Sequence, residues 1–269
     1  MVSGTGGTSG EFVIGGVRLA YLDEGPGDGP VVLNLHGLGQ GSAVDRENPL
    51  VDWAGLTDAG YRVISYDARG HGASGGEAQP ETYRWDALAD DLLAVAELVS
   101  PGVPVRAFGI SMGTATILTA LVREPSRFER VVLGAPPTAW ETRASQGALY
   151  EKFATMVEST GAVAFADLMA RSPAPPIFAE RSPGAGPTPR EEVLPSVFRG
   201  AGASDLPAPE SLRGVPTPAL VLAWATDAGH PLSTAERLVE LLPEAELHVS
   251  HTAADVRTWA ARAATFFAA

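Results

Sequence analysis

The segment Gly109-Ile110-Ser111-Met112-Gly113 constrains this chain more than any other feature. A run with strand character, Val103 to Phe108, leads into it, and a run with helical spacing, Met112 to Val122, leaves it. A strand that becomes a helix within so few residues needs a tight, strained turn. The residues two before and two after the serine must be tiny so that neighbouring backbone can pass close by, and both are glycine. Such a turn lifts the Ser111 hydroxyl clear of a sheet. It also sets the hydroxyl beside a helix N-terminus, whose free N–H groups and positive dipole favour developing negative charge. In this context G-x-S-x-G is a nucleophile elbow, and Ser111 is the candidate nucleophile. A serine that only N-caps a helix gives the same letters. The preceding strand and the motifs below favour the elbow.

Strand and helix patterns alternate on both sides of this turn. Phe12 to Ile14 and Val17 to Leu22 flank Gly15-Gly16, a hairpin signal. Val31 to Leu35, Tyr61 to Tyr66 and Val131 to Leu133 are short apolar runs that suit buried strands. Leu50 to Ala59 and Thr82 to Val99 have helical spacing. Alternation with near-continuously apolar strands predicts an α/β protein: a mostly parallel sheet flanked by helices on both faces. From Thr138 to about Asp205 the rhythm breaks. Trp140 to Met169 reads as helical, Arg171 to Arg190 is loaded with Pro and Gly, and Glu191 to Phe198 reads as one more helix. Alternation then resumes at Ala219 to Ala223, Ser233 to Leu242, Glu246 to Ser250 and Val256 to Phe267. The predicted organisation is a flexible N-terminus over 1–10, a core over 11–138 and 206–269, and a helical cap insertion over 139–205. An insertion this long usually serves as a lid or cap.

Composition narrows the function class. The net charge of −13 sets most of the surface against nucleic acid or an anionic membrane, so neither is an expected partner. No apolar run approaches the ~18 residues a membrane span needs. Met1 to Gly10 is Gly/Ser/Thr-rich without a basic and an apolar region, so it does not read as an export signal and the expected location is the cytoplasm. With no cysteine there is no thiol nucleophile and no thiolate metal site. Lys152, the sole lysine, sits in a plain helical stretch, which argues against Schiff-base chemistry.

Three further segments follow strands. They are His36-Gly37-Leu38-Gly39, then Asp67-Ala68-Arg69-Gly70-His71-Gly72-Ala73-Ser74, then Leu220 to Asp227 with Pro231 downstream. With the Ser111 elbow they resemble the α/β-hydrolase-fold superfamily, in its serine-esterase-like branch with a helical cap. The likeness spans Phe12 to Leu133 and Thr217 to Phe267. It implies that the N–H groups of Leu38 and Met112 form an oxyanion hole, and losing one such donor typically costs ~10²–10³ in rate. It implies that Asp227 is the acid that holds an imidazolium, with Asp205 a weaker rival. The chain order Ser…Asp…His points to His251 as the base. No Gly precedes His251, as the family usually has, and His230 on the Asp227 loop competes for the role. The block after Asp67 reads as a loop fixed by Asp67 and Arg69, with His36, His71 and His248 structural.

The implied activity is hydrolysis of an ester, thioester or lactone of a small carboxylic acid through an acyl-enzyme on Ser111. A cofactor-free perhydrolase or haloperoxidase-type activity, acyl transfer, or a non-catalytic ligand-binding role would use the same residues. A serine at the elbow argues against dehalogenase and epoxide-opening chemistry, which needs a carboxylate there. No metal or organic cofactor is implied, and the expected partner is a small ester-like molecule.

Overall fold

The computed structural model describes residues 7–47, 49–179 and 186–269. In chain order the first half contains β1 (Thr8–Ile14), β2 (Val17–Glu24), β3 (Val31–Leu35), α1 (Ser42–Glu47), α2 (Ala54–Thr57), β4 (Arg62–Tyr66), α3 (Trp85–Val99), β5 (Val105–Ile110), α4 (Met112–Arg123) and β6 (Phe128–Gly134). The second half contains α5 (Arg143–Thr160), α6 (Ala162–Arg171), α7 (Leu194–Gly202), α8 (Pro209–Leu212), β7 (Ala219–Trp224), α9 (Leu232–Leu241), β8 (Ala245–Ser250), α10 (Ala253–Arg257) and α11 (Trp259–Ala268).

The strands form one eight-stranded sheet in the order β1-β2-β4-β3-β5-β6-β7-β8. β1 and β2 are antiparallel, joined through Gly15 and Gly16, which both take positive φ as a two-residue hairpin turn requires. β2 meets β4 antiparallel, and every later pairing is parallel. Side chains of the central strands alternate between two cores. Leu33, Leu35, Ala107, Leu133, Val221 and Ala223 pack on the face covered by α3, α4 and α9. Val32, Phe108, Val132, Leu222 and Trp224 pack on the other face, against Leu56, Trp259, Ala263 and Phe267. Both faces are therefore buried, which explains why these strands read as continuous apolar runs.

Local structure departs from the sequence expectation in several places. The helix expected over Leu50 to Ala59 is the single turn α2, while α1 arises from a segment with no helical signal. The helix expected over Trp140 to Met169 is divided at Gly161, whose φ of +85° is closed to most side chains. Thr8, Ser9 and Gly10, expected in a flexible lead-in, are paired in β1; residues 1–6 of that lead-in lie outside the described residues. Between β6 and β7 the described residues form helices and loops without a strand, and α5 packs on α7 through Tyr150, Phe153 and Phe198. Six residues of the Pro/Gly-rich stretch, 180–185, lie outside the described residues. Among the described residues no helix is long and apolar enough to cross a membrane.

In a parallel sheet the loops leaving the C-terminal strand ends gather at one edge, where ligands usually bind. Here β3 leads to His36, β4 to Asp67, β5 to Ser111 and β7 to Asp227 and His230, so the fold brings all of these to one edge.

Candidate active site

Ser111 lies between β5 and α4 with φ +54° and ψ −108°, a backbone conformation that residues other than glycine rarely adopt. The strain is held by its surroundings. Ser111 N–H donates to Gly134 O at 2.9 Å, and Thr114 Oγ1 reaches both Gly109 O and Gly134 O. A methyl group on Gly109 would overlap the backbone of Gly113, and one on Gly113 would overlap the carbonyl of Leu35. The two glycines of the motif are thus demanded by close backbone approach.

The imidazole against Ser111 belongs to His230. Its Nε2 lies 2.8 Å from Ser111 Oγ, and its Nδ1 lies 2.8 Å from Asp227 Oδ2. A carboxylate can only accept, so Nδ1 carries the proton and Nε2 turns a lone pair toward the serine hydroxyl. Asp227 divides its two oxygens. Oδ1 accepts Gly229 N–H at 2.8 Å, and Oδ2 accepts the His230 proton and, at 3.0 Å, the indole N–H of Trp224. Burial pushes the Asp227 carboxyl up, but the hydrogen bond and charge of His230, then Gly229 N–H and Trp224, outweigh it and hold the group at about 2.

His251, the expected base, is corrected by this geometry. β8 stays paired with β7 through Ser250, and Ser250 O accepts Ala225 N–H at 3.0 Å. Thr252 at once caps α10, its side chain accepting Asp255 N–H at 3.2 Å. No slack remains to swing residue 251 back over the sheet, and His251 is exposed. His230 succeeds because its loop is a turn: His230 N–H meets Asp227 O at 3.3 Å, and Gly229 N–H meets the Asp227 side chain. Asp227 and His230, three residues apart, are folded onto each other by this Asx-type turn. The letters Asp227-Ala228-Gly229 carry that turn signal, which is the one sequence cue to the contact between His230 and Asp227.

The other expected residues fall as follows. His36 is structural: Ala68 N–H donates to its Nε2 at 2.9 Å, so its Nδ1–H donates to Gly37 O at 2.8 Å. A methyl group on Gly37 would stand 3.6 Å from Ser111 Cβ, so the loop bearing Leu38 runs beside the serine. Met112 opens α4, where N–H groups lack an intrahelical acceptor. Asp67 accepts Ser42 N–H at 2.7 Å and Ala73 N–H at 2.9 Å, while Arg69 pairs with the buried Asp91 at 2.5 Å. Asp205 binds Trp140 N–H and Leu206 N–H, and His248 pairs with Asp255.

Apolar side chains frame the site. Trp224 stacks on Trp259 at 5.3 Å and meets the rings of His230 and Phe178 edge-on at 5.3 and 5.0 Å. Leu38 packs against the clusters around Phe165 and Val197. The His230 side chain keeps 23% of its surface exposed, so the site is open to solvent. Among the described residues no group of three or more His, Asp or Glu side chains is placed to hold a metal ion.

Comparison with known proteins agrees with this architecture. A model of the alpha/beta hydrolase fold matches residues 30–255. A proline iminopeptidase of Pestalotiopsis fici is 32% identical over 131 residues, 48% of this chain and 44% of that protein. The 3-oxoadipate enol-lactonase 2 of Acinetobacter baylyi is 33% identical over 135 residues, 48% of this chain and 47% of its own length. The chain therefore spans less than half the length of the curated relatives it matches. A hydrolase from Pseudomonas aeruginosa superposes with a TM-score of 0.81 at 22% identity, covering 97% of this chain and 98% of its own. The chain belongs to the alpha/beta hydrolase fold family.

Proposed function

We propose that the chain is a serine hydrolase acting on small esters, thioesters or lactones, with Ser111 as nucleophile, His230 as general base and Asp227 as the orienting acid. The observation that carries this reading is the continuous contact Ser111 Oγ to His230 Nε2 to Asp227 Oδ2, with 2.8 Å at each step. His230 takes the hydroxyl proton as Oγ attacks the substrate carbonyl carbon. Asp227, ionised, holds the imidazolium that forms. The carbonyl oxygen becomes an oxyanion, stabilised by the N–H groups of Leu38 and Met112. The tetrahedral adduct collapses as His230 returns the proton to the leaving group, giving an acyl-enzyme on Ser111. Water then attacks the acyl carbon with His230 again as base, Ser111 recovers its proton, and the carboxylic acid leaves.

The helices between β6 and β7 act as a cap over this site in the proposal. Phe178, Ile177 and the Leu38 contacts supply an apolar lining, which suits an uncharged acyl group. The enol-lactonase among the relatives is consistent with an ester-type bond as target. A fluorophosphonate probe and p-nitrophenyl acetate test the reading together. The wild-type protein labels on Ser111 and turns over the ester, and Ser111→Ala does neither. A wild-type protein that neither labels nor hydrolyses short activated esters overturns it.

A further inference from the structure

The loop beside Ser111 is held at both ends, and one of the holders comes from far along the chain. Thr188 lies in the segment between α6 and α7 and reaches across to the 37–40 loop. Its backbone N–H donates to Gly39 O at 2.9 Å. Its hydroxyl donates to Gln40 O at 2.6 Å and accepts Gly72 N–H at 3.1 Å. One side chain thus ties the loop after β3 to the loop after β4.

We propose that Thr188 is a positioning residue for the loop that presents the Leu38 N–H to the oxyanion. The inference rests on the hydrolase reading above. A peptide unit is planar, so the direction of an N–H is fixed by whatever holds the carbonyl of the preceding residue. The Leu38 N–H shares its plane with Gly37 C=O. That carbonyl accepts His36 Nδ1–H at 2.8 Å and Gln40 N–H at 3.1 Å, which holds the plane from the β3 side. On the other side the chain passes through Gly39 at φ +77°, a position with wide backbone freedom. Thr188 fixes the carbonyls of Gly39 and Gln40, the two peptide units after that glycine. Without its hydroxyl, Gln40 O and Gly72 N–H lose a partner, and the turn made by Gln40 N–H to Gly37 O is no longer braced. Thr188 therefore contributes to transition-state stabilisation through the loop it holds, without itself touching substrate.

The test compares Thr188→Val, which keeps the shape and removes the hydroxyl, with Thr188→Ser, which keeps the hydroxyl. Thr188→Ala removes the same hydroxyl and serves should the valine variant fail to fold, with circular dichroism as the check. On p-nitrophenyl acetate, kcat of Thr188→Val falls about 10–100-fold with KM within about two-fold, the range expected for a misplaced oxyanion donor. Thr188→Ser stays within about three-fold of wild type, and fluorophosphonate labelling rates follow the same order. A valine variant equal to wild type, a serine variant as slow as the valine variant, or a change confined to KM overturns the proposal. Failure of the wild type itself to label or turn over instead overturns the hydrolase reading on which it rests.

Discussion

His230 sits three residues after Asp227, and the imidazole Nδ1 lies 2.8 Å from Oδ2 of that carboxylate. The two side chains therefore share one loop between β7 and α9, and Thr138 N–H braces that loop from the segment after β6 by donating to Gly229 O at 3.2 Å. Nothing after β8 enters the contact chain to Ser111.

Asp227→Asn replaces a pure acceptor by an amide whose NH₂ can face Nδ1 and draw the imidazole into the wrong tautomer. The expected loss in kcat is about 10³–10⁴-fold with Ser111 still in place. The carboxyl is held at about 2, so it stays ionised above about pH 4. Its folded value is depressed below the unfolded one, so its stabilisation is full above about pH 4 and is lost as pH falls toward 2. Unfolding midpoints of wild type and Asp227→Asn compared across that interval check the sign, and the gap between them narrows in acid.

Trp224 donates its indole N–H to the same carboxylate oxygen that holds His230. Trp224→Phe keeps an aromatic ring against Trp259 and Phe178 but removes the donor. A hydrogen bond to a charged group contributes about 1.5–3 kcal/mol. Only part of it bears on the transition state, so a fall of about 3–10-fold in kcat/KM is expected. Steady-state kinetics on a short activated ester measure it.

His71 is buried, and its Nδ1–H donates to Arg69 O at 3.0 Å. Burial, and then the nearby His36, push its pKa down to about 3. An unfolded histidine takes up its proton near pH 6.5, so below that value the unfolded chain binds more protons than the folded one. Stability that is full above about pH 6.5 is therefore lost progressively as pH falls toward 3. His71→Asn keeps a donor for Arg69 O without the titration. Thermal unfolding between about pH 6.5 and 4 should show a flatter pH dependence in this variant.

The elbow was legible in the sequence because its steric demands fall on residues beside the serine. Two glycines at fixed offsets answer to two backbone contacts, with Gly113 and with Leu35. Gly113→Ala should therefore destabilise the fold by about 2–3 kcal/mol, the cost of overpacking a filled site, as read by urea denaturation. The parallel sheet was legible for the same kind of reason, since strands buried on both faces must be apolar throughout. The position of Asp227 followed from the end of β7. The partner of Ser111 did not follow, because the likeness to related chains places a histidine after the last strand, and here that strand runs directly into the cap of α10. The Asx turn that brings His230 round is written in Asp227 and Gly229, but its consequence depends on where β5 sets Ser111. Thr188 had no sequence signal at all, since its partners Gly39, Gln40 and Gly72 are brought to it only by the tertiary fold.

The identity of the base is the central claim, and kcat/KM of His230→Ala and His251→Ala on p-nitrophenyl acetate tests it most directly. With the imidazole of His230 against Ser111, His230→Ala should lose about 10³–10⁴-fold, while the exposed His251 can be removed with less than about a two-fold change. A His251→Ala enzyme that is inactive, beside a His230→Ala enzyme that still turns over, would contradict the account.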